Sequence, residues 1–103
     1  MYKIMYLPIS KRDMQEMVIY ITDQLKAPEA AINLLDELEN SIARLSDFPY
    51  AYALYRPIRH METEYRFIPV KNYTVFYSVK EPEKVVEIHR ILYAKMDLNR
   101  LLR

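Results

Sequence analysis

The chain has 103 residues, with 15 Lys and Arg against 14 Asp and Glu, no Cys and no Gly. That length closes one hydrophobic core, so residues 1–103 are expected to form a single domain without staples. A composition that is 51% hydrophobic and 28% charged excludes disorder, collagen-like repeats and glycine loops that cradle phosphate.

Without Cys there is no thiolate nucleophile and no Cys-based zinc or iron–sulfur site. The opening "MYKIMYLPISKRD" has too short an apolar run for a signal peptide, and no later stretch could span a bilayer, so a cytoplasmic protein is expected. The net charge of +1 argues against a generic, charge-driven DNA binder. The charge is nevertheless uneven: residues 1–54 carry five Lys and Arg against eight Asp and Glu, and residues 55–103 carry ten against six.

In chain order, "YKIMYL" (Tyr2 to Leu7) is short, apolar and β-prone, and reads as a first strand ended by Pro8. Ser10, followed by Asp13, has the character of a helix N-cap with an acid in the first turn. Met14, Met17, Val18, Ile21 and Leu25 then recur at helical spacing, which predicts a helix from about Ser10 to Lys26. Pro28 suits the first turn of a second helix, with Glu29 near the positive end of its dipole. Ala31, Leu34, Leu35, Leu38, Ile42 and Leu45 make the apolar stripe of that helix, and "SDFP" stops it. The link Ala27-Pro28 is so short that the two helices are expected to form an antiparallel hairpin.

Residues 50–64 lack a clean period and carry Pro57, so a surface loop is expected there. Three strands follow, Tyr65 to Val70, Tyr73 to Val79 and Val85 to Tyr93. Lys71-Asn72 has the length of a two-residue hairpin turn, with Asn tolerating the positive φ. Pro69 cannot donate to a ladder, which marks its strand as an edge or a bend. The tail could add a short helix near Asp97. The expected class is α+β: an N-terminal strand, then an antiparallel two-helix hairpin packed on one face of an antiparallel sheet completed by three C-terminal strands.

Several side chains stand out. Strict alternation groups Val86, Ile88, Arg90 and Leu92, which conflicts with an apolar inner face; either a bulge re-aims Arg90 or it is buried and paired, for instance with Asp97. The same alternation groups Glu87, His89, Ile91 and Tyr93 on a mixed face where His89 could move a proton, with Tyr93 and Lys95 completing a cleft. Arg66 is expected to pair with a helix carboxylate, the alternative being phosphate contact at a sheet edge. His60, beside Arg56 and Arg59, reads as a solvated basic loop or as a contact to RNA or a partner. Neither HxH nor HExxH spacing is present, so no metal site and no cofactor are expected.

The element order, together with "YRFIPVKNYTVFYSV" and "VVEIHRILYAKMD", resembles the RelE/ParE superfamily of bacterial toxins from type II toxin–antitoxin modules, of plasmid-stabilisation type, over almost the whole chain. The resemblance implies a growth inhibitor neutralised by a co-encoded antitoxin. Its target would be either messenger RNA in the ribosomal decoding site or DNA gyrase, and fold alone does not choose. An RNA cutter would be a metal-independent endoribonuclease, needing a base, cationic donors and a proton for the leaving oxygen. The resemblance puts Tyr65, Phe67 and Thr74 where such cutters carry cations, which favours gyrase slightly. The alternatives are a rebuilt ribonuclease site using His89, Tyr93 and Lys95 with Arg66 or Arg90 as electrostatic help, or a member that is no longer toxic. Met14 and Met17 are candidates for the core or for contact with the antitoxin, and Tyr50, Tyr52 and Tyr55 could anchor a partner chain.

Overall fold

The structure is a computed structural model that describes residues 1–56 and 62–94. Strand β1 (Lys3–Tyr6) leads into helix α1 (Pro8–Ile19), which continues as a π-helical turn (Tyr20–Gln24). Helix α2 (Pro28–Ala43) ends in a 3-10 turn (Arg44–Ser46), and strands β2 (Arg66–Val70), β3 (Tyr73–Lys80) and β4 (Val85–Tyr93) complete the order. The sheet runs β1-β4-β3-β2. Its three C-terminal strands are antiparallel, whereas β1 joins β4 in parallel, pairing Lys3 with Val85 through Tyr6 with Ile88. The sheet is therefore mixed: the first strand enters beside the last, and the helix pair makes the crossover between them.

Helix α1 begins two residues before the expected cap. Pro8 occupies its first turn, where a missing N–H costs nothing, and Leu7 is the N-cap. Ser10 lies inside the helix, buried, its hydroxyl donating to the Leu7 carbonyl at 2.7 Å. The π turn shifts the phase of the apolar stripe, so Met17 and Ile21 are buried but Leu25 is turned out, 55% exposed. Lys26, at φ 54°, then ends the helical run before Pro28 opens α2. The stripe of α2 is as expected, with Ala31, Leu34, Leu38, Ile42 and Leu45 all buried.

These side chains pack on one sheet face against Ile68, Val70, Val75, Tyr77, Val86, Ile88 and Ile91. Strand β2 is an edge, as Pro69 implied. Residues 53–55 cover it: Phe67 N–H donates to Ala53, and Tyr55 N–H to Tyr65. In the β2–β3 turn the positive φ of 53° falls on Lys71 and not on Asn72.

Candidate functional site

Strand β4 decides where the candidate residues go. Across from it, Phe76 pairs with Arg90 while Tyr77 pairs with Ile88, so His89 is the extra residue of a β-bulge. The bulge changes the phase of the strand. Val86 and Ile88 face the helices, and so does Ile91, three residues on, while Leu92 joins Phe76 on the outer face. The grouping of Glu87, His89, Ile91 and Tyr93 on one face is therefore broken.

His89 lies on the outer face. Its Nε2 is 2.8 Å from the Ser78 hydroxyl and 3.5 Å from Glu87 Oε1, and Tyr65 meets the ring edge to face at 4.9 Å. Burial lowers its pKa, with Lys80 acting in the same direction and Glu87 against it. Beside it the outer face is an aromatic layer: Tyr55 packs at 5.2 Å from Phe76 and 6.4 Å from Phe67, and Phe76 is fully buried. Thr74 is only 8% exposed. The positions where an RNA cutter would carry cations thus hold two packed aromatic rings and a hydroxyl.

Tyr93 is on the other side of the bulge, edge to face with Tyr73 at 5.7 Å, and Tyr73 packs against the helix-side core. His89 and Tyr93 therefore do not share a cleft, and Lys95 lies outside the described residues, as do His60 and Asp97. Among the described residues Arg66 meets no helix carboxylate. It donates to the Tyr52 carbonyl at 2.7 Å and covers the Tyr50 ring at 5.0 Å, tying the 50–56 loop to the sheet. On that loop, Tyr50 donates to Glu81 at 2.9 Å, and Tyr2 also donates to Glu81. That bond, reinforced by the poorly solvated setting and the carboxylate charge, pushes the Tyr2 phenol up to about 12.

Arg90 has a partner that the sequence reading did not name. Its Nε and Nη2 donate to the two oxygens of Asp13 on α1, at 2.8 and 3.0 Å, and the hydrogen bond raises its pKa. Asp13 also accepts the Ile91 N–H at 2.9 Å. A legible signal existed: Asp13 stands four residues before buried Met17, on the inner side of the helix, where a carboxylate requires a cation.

Asp13 and Arg90 line a groove of about 750 Å³ between the helix pair and the end of β4, with Tyr20, Leu25, Lys71 and Tyr93 among its other walls. The π turn supplies Tyr20, 52% exposed, and shifts the phase that turns Leu25 outward.

Helix α1, helix α2 and the four-stranded mixed sheet are the architecture of RelE/ParE-like proteins. Similar solved structures are the chromosomal ParDE toxin–antitoxin system from P. aeruginosa (TM-score 0.73, 16% identity, 92% of this chain and 98% of that one), the RelBE2 toxin–antitoxin complex from Mycobacterium tuberculosis (0.56, 17%, 89% and 96%), and the archaeal RelE–RelB complex from Pyrococcus horikoshii OT3 (0.54, 14%, 93% and 98%). Among curated proteins none matches. The family model of the ParE toxin of the type II toxin–antitoxin system, parDE, matches residues 4–98, and the chain belongs to that family.

Proposed function

We propose that the chain is the toxin of a type II module, held by a cognate antitoxin, and that it inhibits DNA gyrase through protein contacts without cutting RNA. The observation that carries this reading is the outer sheet face. Cleavage of messenger RNA by attack of the ribose 2′-hydroxyl develops negative charge on phosphate, which has to be met by cations. Tyr65, Phe67 and Thr74 supply none, and their neighbours close into an aromatic layer. His89 is already engaged with Ser78, and it stands apart from Tyr93. Membership of the ParE family supports the same branch.

The test is a titration of purified protein into gyrase with relaxed plasmid, run beside ribosomes programmed with a defined message. The expected result is loss of supercoiling or accumulation of cleaved DNA complexes, with the message intact. Unimpaired supercoiling, with new 5′ ends in the decoding site that vanish in a His89→Ala/Tyr93→Ala double variant, would establish a ribonuclease instead.

A further inference from the structure

Residues 49–55 run along the β2 edge and reach over the outer sheet face. Phe67 N–H donates to Ala53 at 3.1 Å, Tyr55 N–H donates to Tyr65 at 2.7 Å, and Leu54 bridges Arg66, so the segment takes the place of a further strand. At its end the Tyr55 ring packs on Phe76 and Phe67. Phe76 and Leu92 are buried on the face away from the helices, where Tyr55 and Phe67 pack against them. Lifting the segment would put the edge and part of this aromatic layer in water.

The start of the segment is held by side chains. The Tyr77 hydroxyl donates to the Pro49 carbonyl at 2.8 Å, and Arg66 donates to the Tyr52 carbonyl at 2.7 Å with its guanidinium over the Tyr50 ring. Tyr77 and Arg66 belong to the strands that the segment lies against. The third hold comes from elsewhere: Tyr50 donates at 2.9 Å to Glu81, on the turn between β3 and β4. Glu81 also accepts the Tyr2 hydroxyl, and these two bonds, that of Tyr2 foremost, hold its carboxyl below the usual carboxylate range.

Tyr2 in turn is placed by the seat of β1. Its N–H donates to the Ser46 carbonyl at 2.8 Å, its carbonyl accepts the Ser46 hydroxyl at 2.7 Å, and the next N–H, that of Lys3, donates to Lys84 at 3.0 Å. The Tyr2 and Tyr50 rings meet edge to face at 6.4 Å. A carboxylate on an exposed turn is otherwise drawn toward water. Tyr2 is what aims Glu81 at Tyr50.

We infer that residues 49–55 are a strap that opens and closes over the outer face as one unit, that Glu81 latches it shut, and that Tyr2 sets the latch only when β1 is seated beside β4. Glu81 is a positioning residue for the strap. The sheet then has two forms, one with the β2 edge covered and Tyr55 in place, the other with the edge and the rings of Phe67 and Phe76 uncovered. This device is independent of which target the protein meets.

The experiment is amide hydrogen exchange on the full chain, unmodified and as Glu81→Ala, Glu81→Gln and Tyr2→Phe. In the unmodified chain the Tyr55 and Phe67 amides, which donate the strap's bonds, are expected to exchange at one common opening free energy, well below that of Val75 at the centre of the sheet between Ile68 and Ile91. Glu81→Ala should speed both strap amides about five- to tenfold, and Glu81→Gln, which keeps an acceptor oxygen, should restore them. Tyr2→Phe keeps the ring against Tyr50 and removes only the hydroxyl, and should speed them about fivefold. Strap amides as protected as Val75, or protected to different degrees, overturn the strap as a unit, and this reading needs no variant. Faster exchange at Val75 in Glu81→Ala with the strap amides unchanged would mark Glu81 as a general stabiliser and overturn the latch. Strap amides unchanged in Tyr2→Phe overturn the link to β1.

Discussion

Replacing Asp13 with Ala removes three hydrogen bonds at once, two from Arg90 and one from the Ile91 N–H. The two side chains are only 8% and 16% exposed, so the guanidinium would be left mostly desolvated and without this partner. Breaking such a pair from one side costs about 3–5 kcal/mol, a large part of the roughly 5–15 kcal/mol that holds a domain of this size together. At roughly 4–8 °C per kcal/mol, the midpoint of thermal unfolding should fall by about 12 °C or more. Urea denaturation of the wild type, Asp13→Ala and Asp13→Ala/Arg90→Met would separate the terms. Because much of the penalty comes from a desolvated guanidinium that has lost the Asp13 carboxylate, the double variant should recover part of the loss, the Ile91 N–H still lacking its Asp13 acceptor. A single variant within about 1 kcal/mol of wild type, below what a broken buried pair requires, or a double variant no better than the single, would refute this account.

Three further outcomes follow from packing and titration. Burial lowers the His89 pKa in the folded state, so its contribution to stability is complete above the ordinary value of about 6.5 and is lost as pH falls from there through the lowered folded value; His89→Gln should flatten the acid side of the stability profile measured by urea unfolding at stepped pH. Tyr77, fully buried and donating to the Pro49 carbonyl at 2.8 Å, has its phenol pushed up to about 12, chiefly by burial. Its neutral form stabilises the fold below pH about 10, and that contribution is lost as pH rises from there. Tyr77→Phe should remove this alkaline dependence and cost about 1–2 kcal/mol at neutral pH by stranding the carbonyl. Leu38, at the centre of the helix–sheet core and fully buried, should cost about 2–5 kcal/mol when cut to Ala, read as a shift of the urea midpoint with unchanged slope.

Local periodicity carried most of the fold. The α2 stripe, the Pro28 start and the edge character of Pro69 depend on neighbours in sequence, and each is found where the pattern places it. The parallel seat of β1 beside β4 depends on contacts across the whole chain, which no local pattern encodes. The bulge at His89 lies between these cases. Val86, Ile88 and Ile91 are spaced by two and then by three, a phase slip that is visible once strict alternation is abandoned. Assuming alternation grouped His89 with Tyr93 and hid the distinction between the outer face and the groove. The Arg90–Asp13 pair was half legible: Arg90 needed an acid and the inward-facing Asp13 a cation, but no local pattern matches two residues 77 positions apart.

The parallel seat of β1 also has a consequence for biosynthesis. A chain leaving the ribosome can form its helix pair early, yet β1 has no strand to join until β4 has been made and released. Closing that long loop comes late and without local help. A half-made chain therefore exposes an unpaired strand and half a core, but neither the outer face nor the groove edge. The outer face and the groove are both built only once β4 is in place, so a nascent chain presents neither surface before that strand is made.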